Sequence, residues 1–247
     1  MNRLARNGLV ALFWLGVWWI AAAAVGLPLL LPGPGDTLSA LLRLAGTAAF
    51  WQSTGYTLLR VAAGYLIAVL LGAMLAVICC FVPMVDAVLS PLRSIIKATP
   101  VSSFIILVLL WMQKGRVPAF ISFLMVLPIV WTGVQEGLKA VDPQLVEMTQ
   151  AYGLSWGKQL RFLYAPAVRP QFFAACMTGL GFAWKSGIAA EVIALPALSV
   201  GKNLYDAKIY LERADLFAWT LTVILLSMAL EAALKAAMGR MKGGAAL

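Results

Sequence analysis

Three ionisable side chains lie inside otherwise apolar stretches of the sequence: Arg60, Lys185 and Glu191. Charges at membrane depth are costly, and they usually face protein or a water-filled path. Lys185 is the cation that would suit an anionic ligand on such a path. A structural role stays open beside this one, either as an ion pair between Lys185 and an acid on another helix, or with Glu191 extending to the outer surface.

Residues that could act as nucleophiles or metal ligands are sparse. The chain has no histidine and three cysteines, Cys79, Cys80 and Cys176, which lie within or beside apolar runs. Such cysteines pack as small hydrophobic side chains, so we expect no metal site and no catalytic site. An integral-membrane enzyme would need acidic or histidine side chains clustered near membrane depth. The sequence also lacks a GxxxxGK[ST] loop, so this chain would not bind ATP in that way.

Composition points to a protein that lives in the bilayer. Hydrophobic residues make up 62% of the chain and charged residues 12%, while the formal net charge is +9. The basic residues cluster in short loops and at the termini, which is typical of membrane topology and not of nucleic-acid binding. With the N-terminus placed in the cytoplasm, the basic bias predicts that both termini are cytoplasmic.

Apolar runs predict an all-α integral membrane protein with about six spans, because a spanning helix needs about 20 apolar residues. We expect the first run to be an uncleaved span and not a signal peptide. Pro100 is expected to kink the third span, and Pro128 to interrupt the fourth. The predicted spans are 9–31, 56–81, 101–112, 117–134, 171–195 and 216–234.

Small residues recur at helical spacing in the second and fifth spans, and they allow two helices to approach closely. We expect these faces to pack within one chain, although a subunit interface would use the same pattern. The two sets are Ala68, Gly72 and Ala76, and Ala175, Gly179, Ala183 and Gly187.

A polar segment between the fourth and fifth spans carries strong helix-boundary signals. Asp142 followed by Pro143 is a typical helix start, and Gly153 suits the left-handed residue that ends a helix. The pattern therefore predicts a first short helix over 143–152. An amphipathic helix before the second span, over 38–50 with Asp36 and Thr37 as its cap, is predicted on the same grounds.

The second half of the polar segment predicts another short helix. Ser155 is placed to cap a helix over 156–163, and Pro166 and Pro170 are expected to end it. The two helices would expose apolar residues rimmed by charge. Two interpretations remain open on these grounds: the segment fits a groove of a soluble partner, or it lies on lipid headgroups.

The polar segment resembles the signature loop of bacterial ATP-binding-cassette (ABC) importer permeases. That loop has a Glu-Ala-Ala triplet, a Gly six residues after the Glu and a Pro nineteen residues after it. Glu147, Gly153 and Pro166 occupy those positions, whereas Met148 and Thr149 replace the two alanines. A further similarity, Arg60 followed by Gly64 at the start of the second span, is shared with the branch that imports nitrate, sulfonates and taurine.

The resemblance implies a type I importer permease, with the MetI-like fold. It implies an N-terminal helix and outer amphipathic segment over 1–50, and a permease domain over 51–240 that contains a coupling loop over 142–170. That loop would contact the ATPase. Its implied contact residues are Glu147, Met148, Thr149, Ala151, Gly153, Trp156, Leu160, Arg161 and Pro166.

The resemblance also implies the partners. They are a cytoplasmic ATPase dimer that holds ATP and Mg, an external substrate-binding protein, and a second permease subunit, with a homodimer expected, in the bacterial inner membrane. The cargo would be a small anion such as nitrate, a sulfonate or taurine. A permease for a vitamin or its precursor is an alternative, and so is an autonomous secondary transporter, although no internal repeat is visible.

Overall fold

The computed structural model describes residues 3–27 and 30–243, and every regular element in those residues is helical. Residues 28 and 29 of the predicted first span, 9–31, lie outside them. The helices are α1 (Arg3–Val25), α2 (Pro34–Ala45), α3 (Ala48–Phe81), α4 (Pro83–Ala98), α5 (Val101–Val108), α6 (Val117–Lys139), α7 (Pro143–Ala151), α8 (Trp156–Gln159), α9 (Ala165–Ala194), α10 (Val200–Ile209) and α11 (Arg213–Gly243); a π-helical turn, Leu160–Tyr164, joins α8 to α9.

Among the described residues, four helices are long and apolar enough to cross a membrane: α1, α3, α6 and α11. The helices α4 and α5 meet that criterion only as a pair, and the chain bends by 104° between them. The predicted fifth span, α9, has 30 residues. Its length is sufficient, but α9 is not among the helices that pass the apolarity criterion. Many α9 residues are small. Thirteen of its 30 residues are buried against protein, so α9 needs fewer lipid-facing apolar side chains.

The third predicted span is wrong as a continuous helix over 101–112. The helix α5 covers only Val101–Val108, and Pro100 marks a break and not a kink within one helix. Thr99 adopts extended backbone just before it, as expected for a residue that precedes proline. The expected interruption at Pro128 is also wrong, because α6 continues from Val117 to Lys139 with Pro128 buried inside it. Packing against neighbouring helices compensates for a single missing hydrogen bond.

The predicted helix over 38–50 is shifted. The helix α2 begins at Pro34, where proline at the first helical position needs no hydrogen-bond partner, and it ends at Ala45. The Gly33 amide donates to Asp36 Oδ2 at 3.3 Å, and Thr37 Oγ1 donates to the Gly33 carbonyl at 3.0 Å. The residues from Ala48 onward belong to α3, so the second span begins earlier than the predicted Tyr56.

The chain forms two compact units, and the division falls within α3 and α11. The first unit contains the described part of 1–57 together with Leu195–Leu226. Within it, the Trp18 indole donates to the Pro32 carbonyl at 3.2 Å. Arg43 forms an ion pair with Asp215. The Val200 amide donates to Thr57 Oγ1 at 3.0 Å, which ties α10 to α3.

The second unit contains Leu58–Ala194 and Ser227–Leu247, of which residues up to 243 are described. Its core includes a cluster where α5, α6 and α9 meet, with Ile105, Ile121 and Ala190 all fully buried. Tyr65 of α3 donates to the Cys176 carbonyl of α9 at 3.0 Å. Ser122 of α6 donates to the Ala183 carbonyl of α9 at 3.0 Å.

The small-residue faces of α3 and α9 pack within the chain, as predicted. A Cβ atom added at Gly64 would lie 2.1 Å from the Ala119 carbonyl oxygen of α6. One added at Gly187 would lie 2.6 Å from Val61 Cγ2. No side chain fits at those distances, so α3, α6 and α9 reach this separation only because glycine is present at both positions.

Candidate functional site

The first helix of the polar segment begins as the sequence predicts. Asp142 is its N-cap, and Asp142 Oδ1 accepts a hydrogen bond from the Gln144 amide at 2.9 Å. Pro143 occupies the first helical position, where it leaves no amide without a partner. The side chains of Leu145 and Met148 are exposed (43% and 49%). The helix therefore presents apolar groups outward while its start is held by its own cap.

Gly153 ends this helix with backbone that only glycine adopts readily. Its φ is +66°, in the left-handed region. The Gly153 amide donates to the Gln150 carbonyl at 2.9 Å, and the Leu154 amide donates to the Thr149 carbonyl at 3.0 Å. These two bonds form a Schellman motif, which satisfies the last carbonyls of α7. The predicted left-handed helix end is confirmed at this residue.

The second helix is held by a residue that sequence analysis missed. Ser155 is at the N-cap position, but its side chain makes no capping bond. Instead Gln159, which is buried, donates from Nε2 to the Leu154 carbonyl at 2.9 Å. A glutamine four residues after a candidate cap has no special sequence signature, because this bond depends on how the polar segment folds.

Three aromatic rings connect the second helix to the end of α3. The Phe81 ring lies edge-on to Trp156 with centroids 4.9 Å apart, and edge-on to Tyr164 at 5.6 Å. The Trp156 and Tyr164 centroids are 5.8 Å apart. Edge-to-face pairs of this kind add stability beyond the area that they bury. Phe81 is the last residue of α3, so the polar segment is in direct contact with a predicted span.

The prediction that Pro166 and Pro170 end the second helix is wrong. Helical backbone continues from Trp156 to Ala194, and both prolines lie inside it. A π-helical turn over Leu160–Tyr164 immediately precedes Pro166. A π turn widens the helix, which relieves the clash of a proline ring with the preceding carbonyls and explains why the helix survives. Such turns recur at functional sites.

The predicted coupling residues fall on one continuous segment, which we call the elbow (Asp142–Pro166). Of the nine, only Thr149 is buried, and its Oγ1 donates to the Val146 carbonyl at 2.8 Å. Tyr152, which was not among the predicted site residues, is the most exposed large hydrophobic side chain on it (79%). The exposed predicted residues are Glu147, Met148, Ala151, Gly153, Trp156, Leu160, Arg161 and Pro166.

The charges at membrane depth follow neither of the two structural roles considered above, an ion pair of Lys185 or extension of Glu191 to the outer surface. Arg60 Nη1 lies 3.3 Å from Glu191 Oε1, and the Glu191 side chain is fully buried. Glu191 therefore does not extend to the surface. Lys185 is exposed and forms no ion pair with any of the described residues. The structure brings Arg60 and Glu191 together and leaves Lys185 apart from them.

Lys185 lies on a stripe of small and polar residues along α9. Ala174, Thr178, Gly181, Lys185 and Ala189 follow one another at three- and four-residue spacing, and all are exposed or half-buried. A helix face that met only lipid would carry large apolar side chains. The composition of this stripe is typical of a face that meets water, a solute or another protein surface.

A second polar cluster lies where α4 meets α6, and sequence analysis missed it. Arg93 donates to Gln135 Oε1, and Gln135 Nε2 donates to Asp86 Oδ1 at 3.0 Å. The Arg93 guanidinium also lies 4.8 Å from the centre of the Trp131 ring. Gln135 is buried, and it satisfies both charged partners at once. These bonds fix α4 to the end of α6 that leads into the elbow.

Within residues 3–27 and 30–243, no three acidic or cysteine side chains converge as metal ligands would. The functional features of the described chain are therefore surfaces, a buried ion pair and an exposed cation.

Comparison with known sequences gives a consistent result. Residues 68–242 match the profile of a family described as "Binding-protein-dependent transport system inner membrane component". A taurine transport system permease protein of Escherichia coli (strain K12) is 26% identical over 234 residues, which cover 92% of this chain and 85% of that protein. A riboflavin transport system permease protein of Chloroflexus aurantiacus is 27% identical, over 90% of this chain and 86% of that one.

Two more distant similarities extend this picture. A bicarbonate transport system permease protein of Synechocystis is 26% identical over 64% of this chain and 56% of its own length. Among solved structures, an amino acid ABC transporter crystallised with histidines matches with a TM-score of 0.59 at 16% identity, over 75% of this chain and 88% of that one. This last match concerns the fold alone.

Proposed function

Because the chain belongs to the family of binding-protein-dependent transport system inner membrane components, and so is an ABC importer permease in an integral membrane setting, we propose that it carries a small anion across the bacterial inner membrane. In this proposal both termini and the elbow are cytoplasmic. ATP and Mg are held by a separate ATPase dimer, a binding protein delivers the solute outside, and two copies of this chain form the path.

The observation that carries the proposal is the construction of the elbow. Its outward face is exposed and apolar, whereas its base is fixed by the Gly153 cap, the Gln159 bond and the contact of Trp156 with Phe81. A rigid helical projection with such a face fits a groove in a soluble partner. The aromatic contact gives any displacement of the elbow a direct route to α3.

The mechanism that we propose is alternating access. Closure of the ATPase dimer on ATP would draw the two elbows together, and the helices joined to them would exchange an inward-open path for an outward-open one. Glu147 and Arg161 supply charge at the docking surface, and Met148, Trp156 and Leu160 supply apolar area. This chain positions and releases the solute, and the free energy comes from the partner.

Lys185 supports the anionic substrate class. It is a cation on a small and polar helix face and has no acidic partner in the described residues. A lone cation of this kind attracts an anion without a competing carboxylate. The names of the taurine and bicarbonate relatives agree with a solute that carries an anionic group, and that of the riboflavin relative keeps a vitamin cargo as the second candidate.

The docking role is tested by co-purification of the chain with its ATPase from the native membrane. Glu147→Arg reverses an exposed charge on α7 and is expected to reduce the recovered ATPase at least fivefold. The matched control is Glu212→Arg, a reversal of an exposed acid in the other compact unit, which should leave recovery unchanged. Equal recovery from both variants, together with normal ATP-driven uptake, would refute the docking role.

A further inference from the structure

A groove beside the elbow combines apolar walls with two arginines. Its volume is about 530 Å³, within the range of small-molecule sites. Ala73 and Val77 of α3, Val134 of α6 and Phe172 of α9 form the apolar walls, while Arg161 and Arg169 lie at the elbow end. Of the described residues that line the groove, none is acidic. The groove therefore pairs positive charge with an extended apolar surface.

The position of the walls fixes the depth of the groove. Val77 is four residues and Ala73 eight residues before the end of α3, so the apolar part extends roughly 12 Å along the helix from that end. The helices α3 and α6 are both long and apolar enough to span the bilayer. Residues 61–85 contain no charged side chain, so we place this part of the groove at hydrocarbon depth and the arginines toward the headgroups, where long basic side chains reach the interface.

Each of the two guanidinium groups lies near an aromatic ring. Arg161 lies 5.6 Å from the centre of the Phe162 ring, and Arg169 lies 5.7 Å from that of Phe173. Arg161 has no ion pair with any described residue. Arginine binds phosphate through parallel N–H donors, and basic pockets between spanning helices bind anionic lipid headgroups.

We infer that this groove holds one anionic phospholipid, with an acyl chain along Ala73 and Val77 and the headgroup phosphate between Arg161 and Arg169. A soluble partner could reach the arginines but not walls at hydrocarbon depth, which is why lipid fits the whole groove and a protein segment does not. The lipid would lie against the π-helical turn and so join the elbow to the bilayer. The binding itself does not depend on the proposed transport function.

The direct test uses the full chain in phosphatidylcholine vesicles that contain a phosphatidylglycerol probe with a photoreactive acyl chain. We expect crosslinks at Ala73, Val77 and Phe172, which excess phosphatidylglycerol suppresses and excess phosphatidylcholine does not. Labelling spread evenly over all spanning helices, or suppressed equally by both lipids, would overturn the inference.

Variants separate the charge from the apolar walls. Arg161→Gln and Arg169→Gln should each lower labelling about fivefold, the effect of one basic side chain beside an anionic headgroup. Arg240→Gln, at an exposed arginine outside the groove, is the control and should change nothing. Ala73→Phe fills the groove without changing charge and should also lower labelling, whereas Ala62→Phe, on an exposed face of α3, should not.

One outcome would change the role assigned to Arg161. If Arg161→Gln lowered ATPase co-purification but Arg161→Gln and Arg169→Gln both left phosphatidylglycerol labelling intact, Arg161 would serve the protein contact alone and the lipid site would be refuted. Because the labelling assay needs no ATPase, binding protein or solute, failure of the proposed transport function leaves its result unaffected.

Discussion

Gly153 shows how a single residue shapes the candidate docking surface. Its positive φ and the two Schellman hydrogen bonds let α7 end and the next helix begin within a few residues. Asp142 and Gly153 were both predictable from sequence, because caps follow from local chemistry. Gln159 was not, since its bond to the Leu154 carbonyl exists only after the elbow has folded.

Gly153→Ala should destabilise the elbow by about 1–2 kcal/mol, the cost of a left-handed residue with a Cβ. The matched control is Gly157→Ala: both positions have open space around an added Cβ, but Gly157 has no positive φ. Hydrogen exchange of the amides of 143–159 is the measurement. Exchange should be about tenfold faster in the first variant only, and equal rates in both would show that the cap does not control the elbow.

The Arg60–Glu191 pair could not be predicted from the sequence, because its two members are 131 positions apart. Burying either charge alone is expected to cost free energy, and pairing the two charges compensates for this cost. Sequence analysis identified both as unusual at membrane depth but did not pair them. Only the packing of α3 against α9 shows that they meet.

Replacing either member of this pair by leucine should therefore destabilise the protein by roughly 3–5 kcal/mol, because the remaining charge is left buried. The double variant Arg60→Leu with Glu191→Leu should lose clearly less than the sum of the two single variants. Thermal unfolding in detergent, followed by size-exclusion chromatography, measures the three losses. Additive losses would contradict a direct pairing of the two charges.

At the scale of elements, long apolar runs correctly predicted the helices α1, α3, α6 and α11. The positions of proline residues predicted helix ends incorrectly. Pro128, Pro166 and Pro170 were all expected to interrupt or end helices, and all three lie inside them. A soluble helix would break there, but packing on several sides and a π turn compensate for the lost hydrogen bonds. Proline position alone cannot reveal that compensation.

The close approach of α3 and α6 at Gly64 can be tested by adding a methyl group there. Gly64→Ala would place a Cβ 2.1 Å from the Ala119 carbonyl oxygen, so α3 and α6 must move apart. We expect a loss of about 1–3 kcal/mol, typical of overpacking. Gly55→Ala, on the same helix with nothing within 4 Å of an added Cβ, should be neutral or slightly stabilising. Similar thermal stability of the two variants would show that the helices are not in close contact there.

For the whole molecule, Lys185 is the residue through which substrate charge can be tested. Uptake is measured in proteoliposomes that contain the complete transporter with its ATPase and binding protein. Lys185→Met should lower uptake of an anionic solute about tenfold, because a charge-assisted contact is lost. Lys185→Arg should retain most of it. Lys114→Met, which removes an exposed charge from the loop before α6, is the control.

Normal uptake by Lys185→Met would show that this residue does not line the path, and the family assignment would be unaffected.

Sequence analysis located the family, the elbow and the deep charges, because each depends on local pattern or resemblance. The cargo is a different kind of property. It depends on which faces meet across the assembled transporter, and a linear pattern does not contain that arrangement.

The unbroken helical run from Trp156 to Ala194 has a mechanical consequence. A helix resists bending and twisting, so its two ends move as parts of one lever roughly 58 Å long. One end carries the elbow, and the other carries Glu191 three residues before its last residue. A push at the elbow would therefore reach the buried charge pair as a tilt or rotation, with no relay of separate contacts between them.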